Sequence, residues 1–368
     1  MPERKALREP RLAPRKFLHF RAASALPFGG LVGSFPLATI VTPASGASRL
    51  AKREGRLNPA TKSVHRPNLP PPRRQRVTGR SATQQPVTKE PSTVSQLSMN
   101  EMTTYRWSFE EDVSHYKEAG IDVIGVWRQK LSDYGEDRGI ELLCESGMKV
   151  SNLLWAGGFT GSDGRRFRDS IDDAIEAVEL AAQMHAHCVV LYTGGRGAHI
   201  RSHVQRLIRD AMAEVVGVAT ELHVTLALEP MHANCAGEWT IVTDLDAACC
   251  VLDEFDSPFL KLVFDTYHLG HDRRILNRIG QIAGRIAVVH LGDARLPPEK
   301  EQNRARLGRG ALPLQEIVDA LIAAGYDGYY DVELLGEDFH PDHYFDLLDH
   351  SKQAFGELTR QHAVGRSV

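Results

Sequence analysis

Between residues 226 and 333, four apolar runs each end on a side chain that can carry charge or hold a cation. They are Leu226-Ala-Leu-Glu229, which runs into Pro230, Lys261-Leu-Val-Phe-Asp265, Ile286-Ala-Val-Val-His290 and Gly328-Tyr-Tyr-Asp-Val-Glu333. A run this short and this apolar reads as a parallel strand buried on both faces, and the terminal residue as the one group it delivers at its C-terminal tip. Taken singly, such a tip residue is a helix cap or a solvated loop group. Four in succession, separated by segments of helical periodicity, constrain the fold far more tightly.

The same alternation extends upstream. Expected strands cover Thr103–Trp107, Ile121–Trp127, Lys149–Trp155 and Cys188–Tyr192. Expected helices cover 109–119 after Ser108, 138–146 before Gly147, 167–184 and 200–222. Ser108 precedes Glu110 and Glu111, as an N-cap with acidic first-turn residues should, and Ile171, Ile175, Val178 and Ala182 share one helix face. Downstream helices are expected over 245–255 after Thr243, 275–282, 314–324 and 344–358. Eight strand–helix pairs after residue 98 match the roughly 250 residues of a closed (β/α)8 TIM barrel. The competing doubly wound sheet carries a glycine-rich turn after its first strand. Here Trp107-Ser-Phe-Glu110 stands in that place.

Composition divides the chain in two. Residues 1–98 hold 18 Lys and Arg against 4 Asp and Glu, leaving 26 basic against 43 acidic residues in 99–368. The first part is rich in Pro, Arg and Ser and reads as a disordered extension, the second as the barrel domain. Within residues 1–47 a basic start and a mildly apolar stretch suggest a secretory leader, but Pro27, Gly29, Gly30, Gly33 and Pro36 interrupt it. A cytoplasmic location is therefore expected. An acidic body argues against a nucleic-acid face, and no run is long enough to span a membrane. Five cysteines without a CxxC pair are expected as free thiols, with adjacent Cys249 and Cys250 in core packing.

In a barrel the tips of strands five to eight are neighbours on one rim, so Glu229, Asp265, His290 and Glu333 should converge. Three crowded carboxylates repel one another unless a cation holds them. One divalent metal is the expected cofactor, with oxygen and imidazole donors suiting Mn2+ best and Mg2+, Co2+ or Zn2+ next. His232 lies near the fifth tip, at a pocket wall or on the surface. Trp127, Trp155 and Trp239 lie near strand ends, as pocket walls or core.

From Met102 onward the chain resembles the sugar phosphate isomerase/epimerase group of xylose isomerase-like barrels, close in pattern to ketose 3-epimerases, hydroxypyruvate isomerases and inosose dehydratases. The resemblance rests on Leu228-Glu-Pro230, Phe264-Asp-Thr-Tyr-His268, Val289-His290 with Asp293, and Asp331-Val-Glu333, in that order. It implies that Glu229, Asp265, His290 and Glu333 bind the metal, that Glu229 and Glu333 form a proton-transfer pair, and that His268 bonds a substrate oxygen. It also implies an arginine before a Gly-x-Gly loop; Arg304 and Arg306 both precede Gly308-Arg-Gly310, and Arg306 is favoured. The implied substrate is a small sugar or keto-polyol, with a homo-oligomer possible. The implied reaction is proton abstraction beside a carbonyl through a stabilised enediolate. An inosose-dehydratase-like lyase, a zinc-dependent abasic-site endonuclease relative and a non-enzymatic sugar binder are the alternatives.

Overall fold

The computed structural model describes residues 97–237, 239–299, 303–336 and 339–364, with side chains to residue 360. Of the expected extension only Leu97 and Ser98 fall within them; the leader considered in residues 1–47 lies outside. Eight parallel strands close into a barrel in sequence order. They are β1 (Leu97–Asn100), β2 (Val123–Trp127), β3 (Lys149–Gly157), β4 (Cys188–Tyr192), β5 (Thr225–Leu228), β6 (Leu260–Asp265), β7 (Ile286–Leu291) and β8 (Tyr329–Val332). Closure is made by β1 against β8, with Leu97 opposite Tyr330, Ser98 opposite Asp331 and Met99 opposite Val332.

The helices are α1 (Phe109–Glu118), α2 (Arg128–Tyr134), α3 (Glu136–Ser146), α4 (Phe167–Gln183), α5 (Arg201–Leu222), α6 (Ala233–Ala236), α7 (Leu245–Phe255), α8 (Thr266–Leu269), α9 (Leu276–Ile282), α10 (Leu314–Ala323) and α11 (Tyr344–Val364). Local chemistry accounts for their ends. Ser108 caps α1 in a reciprocal box: its Oγ accepts from the Glu111 amide at 3.3 Å, and Glu111 Oε2 accepts from the Ser108 amide at 2.7 Å. Gly147, at φ 66°, closes α3 in the left-handed conformation. Asp244, not the expected Thr243, caps α7 by accepting from the Ala247 amide. On α4, Ile171, Ala174, Val178 and Ala181 recur at helical spacing, and all are fully buried.

The expected first strand, Thr103–Trp107, is a correction. That segment is a succession of turns held by Thr103 N–H to Asn100 O at 2.9 Å and Trp107 N–H to Thr104 O at 2.8 Å. The true β1 lies upstream because its inward residues, Ser98 and Asn100, are matched to polar partners inside the barrel. Ser98 Oγ lies 2.6 Å from Ser151 Oγ, and Asn100 Nδ2 donates to Asp331 Oδ2 at 2.7 Å. All five cysteines are free, and Cys250 is exposed rather than packed. Adjacent helix positions point about 100° apart, so α7 turns only Cys249 toward the core. No helix among the described residues is long and apolar enough to cross a membrane.

Candidate metal centre

Successive strand tips bring the four predicted ligands together. Glu229 follows β5, and its amide continues the ladder to Leu191 O at 3.0 Å; Glu333 follows β8 in the same way, bonding Leu291 O at 3.1 Å. Asp265 ends β6 opposite His290 of β7. One ligand atom from each of Glu229, Asp265, His290 and Glu333 lies within 4.8 Å of every other, and all four residues are buried.

Their electrostatics fit a cation. His290 Nδ1 sits 2.8 Å from Glu333 Oε2 and 3.3 Å from Glu229 Oε1, yet neither ring nitrogen makes a hydrogen bond of good geometry. Burial opposes a charged imidazole, but the two carboxylates outweigh it and raise the His290 pKa. Burial also raises the Glu229 carboxyl, partly offset by His290. At Glu333 the effect of burial is overcome by Arg304 and His290, which hold the carboxyl down to about 2. Three carboxylates and one imidazole, closely spaced and dry, form a donor set for a hard or borderline divalent ion.

Arg304 is the residue that the sequence ranked second. It is buried, with Nη2 at 2.8 Å and Nη1 at 3.2 Å from the two Asp265 oxygens, and Nη2 at 3.3 Å from Glu333 Oε1. Its guanidinium lies over the Tyr267 ring, 4.8 Å from the centroid. Arg306 is half-buried, and no ion pair joins it to the four among the described residues. Asp293 sets this register: its carboxylate accepts from the amides of Ala294, Gly310 and Leu312, and its backbone pairs with Ala305. A carboxylate that ties down a loop amide is not distinguishable, in sequence, from a ligand.

His268 on α8 is buried and turns Nε2 to 3.8 Å from Asp265 Oδ2, where that nitrogen has no hydrogen-bond partner. Burial pushes its pKa down to about 4. His232 is half-buried outside the cluster; its Nδ1 caps α6 by accepting from the Asn234 amide. Trp155 and Trp239 pack with ring centroids 5.4 Å apart, and Tyr192 meets Trp239 edge-on at 5.3 Å.

Residues 113–354 match the model of the xylose isomerase-like TIM barrel family. Among curated relatives, the chain is 30% identical over 124 residues to D-psicose 3-epimerase of Enterocloster bolteae, covering 33% of this chain and 37% of that one. To inosose isomerase of Bacillus velezensis it is 23% identical over 265 residues, covering 67% of this chain and 90% of that one. Among solved structures, protein SMc04130 of Sinorhizobium meliloti 1021 superposes with a TM-score of 0.67 at 26% identity, over 72% of this chain and 98% of that one. The match runs from α1 into α11 and takes in all four strand-tip donors, so the chain belongs to the xylose isomerase-like TIM barrel family.

Proposed function

We propose that the protein is a divalent-metal-dependent isomerase or epimerase that moves a proton at a carbon beside the carbonyl of a small sugar or keto-polyol. The observation that carries this reading is the buried convergence of Glu229, Asp265, His290 and Glu333 within 4.8 Å. The names of two curated relatives, an epimerase and an isomerase, support the reaction class.

In this reading the four side chains hold one ion, Mn2+ by preference. When bound, it supplies Lewis acidity that polarises a carbonyl and offsets the charge of an enediolate. The chain's own groups do the rest. Glu229 and Glu333, whose carboxylates come within 3.3 Å and 2.8 Å of His290 Nδ1, are the pair assigned to take a proton from the substrate and to return it. Arg304 holds Asp265 and the Glu333 carboxylate in place. His268 bonds a substrate oxygen through Nε2.

Incubation in D2O with a panel of ketoses and keto-inositols, with and without Mn2+, tests this directly. The wild-type chain should place deuterium on one carbon beside the carbonyl. Glu333→Gln should lower that exchange by about 10^2 to 10^4-fold, the usual contribution of a positioned acid or base, in a variant whose circular dichroism shows the fold intact. Undiminished exchange in that variant would sink the assignment, and loss of water from a keto-inositol would redirect it to a lyase.

A further inference from the structure

We propose that Cys235 is a positioning residue that fixes the tautomer of His268, so that the imidazole presents Nε2–H to the substrate. The proposal rests on the reading of His268 as a substrate contact.

Cys235 lies on α6, in the connection after β5, and His268 on α8, directly after β6. Two different loops therefore bring Cys235 Sγ to 3.3 Å from His268 Nδ1. Both residues are buried, at 5% and 3% exposure. The contact is ambiguous in itself, since either Sγ or Nδ1 could supply the hydrogen, and Sγ also lies 3.3 Å from His232 O.

Two observations favour one assignment over the other. The first is that His232 O already accepts the amide hydrogens of Cys235 and Ala236, both at 2.9 Å. A carbonyl oxygen has two lone pairs, so the thiol hydrogen is better used on Nδ1. The second lies across the ring, where Nε2 has no hydrogen-bond partner and faces Asp265 Oδ2 at 3.8 Å. Both Asp265 oxygens accept from the Arg304 guanidinium, at 3.2 and 2.8 Å, so Oδ2 faces the ring as an acceptor. A bare Nε2 lone pair would be repelled by that oxygen, whereas an Nε2–H is attracted to it. Both ends of the imidazole thus demand the same form, with the S–H donated to Nδ1 and the ring proton on Nε2. Burial keeps the thiol protonated, with its pKa pushed up to about 12. Serine could replace this donor; alanine could not.

The test combines long-range 1H–15N spectra of the full chain, labelled at histidine, with kinetics of Cys235→Ala and Cys235→Ser. His268 signals are assigned by their loss in His268→Gln. The wild-type protein should show the Nε2–H form. Cys235→Ala should shift His268 toward the Nδ1–H form and lower kcat/KM about tenfold, within the range typical for partners that orient a site residue. Cys235→Ser should restore both. An Nδ1–H ring in the wild-type protein overturns the proposal, as does an alanine variant with unchanged spectrum and kinetics. The spectra do not depend on turnover, so a chain inactive on every sugar but showing the predicted tautomer change would uphold the Cys235–His268 assignment and remove the isomerase reading alone.

Discussion

Arg304 illustrates how much a single side chain carries in a dry cluster of like charges. Its guanidinium meets both oxygens of Asp265 and one of Glu333, and all three side chains are at most 5% exposed. Removing one partner from a buried ion pair leaves an uncompensated charge, at a cost of about 3–5 kcal/mol. Arg304→Met should therefore melt well below the wild-type chain when both are measured in chelator. A bound divalent cation stabilises the folded state by an amount that grows with its affinity and concentration, and in the variant it would stand in for the guanidinium charge lost beside two carboxylates. Added Mn2+ should thus raise the melting temperature of both proteins, and raise that of Arg304→Met by more. Scanning calorimetry with and without Mn2+ reads both effects. A wild-type chain indifferent to millimolar Mn2+, Mg2+, Co2+ and Zn2+ would remove the metal from this site.

At the scale of the strand, the barrel interior is split. One side is apolar, built from Met102, Leu154, Cys188, Val190, Ala227, Val263, Ala287 and Val288. The other is polar: Asp331, the ladder partner of His290, accepts from Asn100 and Asn152 at 2.7 Å each. This explains the glycine in β2. A Cβ on Gly125 would come 2.3 Å from Asp331 Oδ2 and 3.0 Å from Asn100 Nδ2. Gly125→Ala should destabilise the protein by about 1–3 kcal/mol, as overpacking does, and a second change, Asp331→Ser, should recover part of that loss in urea titrations. The same split decides what could be read in advance. Strands β4 to β8 are nearly continuous apolar runs, so their positions and the convergence of the four candidate donors at their tips were legible. β1 alternates Leu97 and Met99 with Ser98 and Asn100, whose hydrogen bonds lie 53 and 231 residues away, so its pattern resembles a loop. Thr103-Thr-Tyr-Arg-Trp107 has strand-favouring residues but no strand partner. The choice between Arg304 and Arg306 was illegible for a related reason, since it depends on which amides Asp293 captures. The Cys235–His268 contact joins two loops that local pattern cannot bring together.

Closure of the whole barrel depends on a four-residue strand. β1 supplies the pairing to β8 on one side and to β2 on the other. The segment just after it also braces the site: Thr103 Oγ1 donates to Val332 O at 2.8 Å and accepts from the Leu334 amide at 2.9 Å, gripping the backbone on both sides of Glu333. A parallel barrel missing one strand exposes two unpaired edges at once, so the loss should be cooperative rather than local. A chain beginning at Leu97 keeps every pairing of β1 and should melt as one transition with full response to Mn2+. A chain beginning at Met99 gives up the pairings of Leu97 with Tyr330 and Ser98 with Asp331, together with the Ser98–Ser151 hydrogen bond. It should lose about 1–3 kcal/mol, the scale of one or two buried hydrogen bonds. A chain beginning at Glu101 has no β1, and both its cooperative transition and its stabilisation by Mn2+ should disappear together, because Glu333 then sits beside an open edge. Calorimetry on the three truncations orders them, and a Glu101 chain that still melts sharply and still responds to Mn2+ would mean that the four ligands are held by β5 to β8 without the closed barrel.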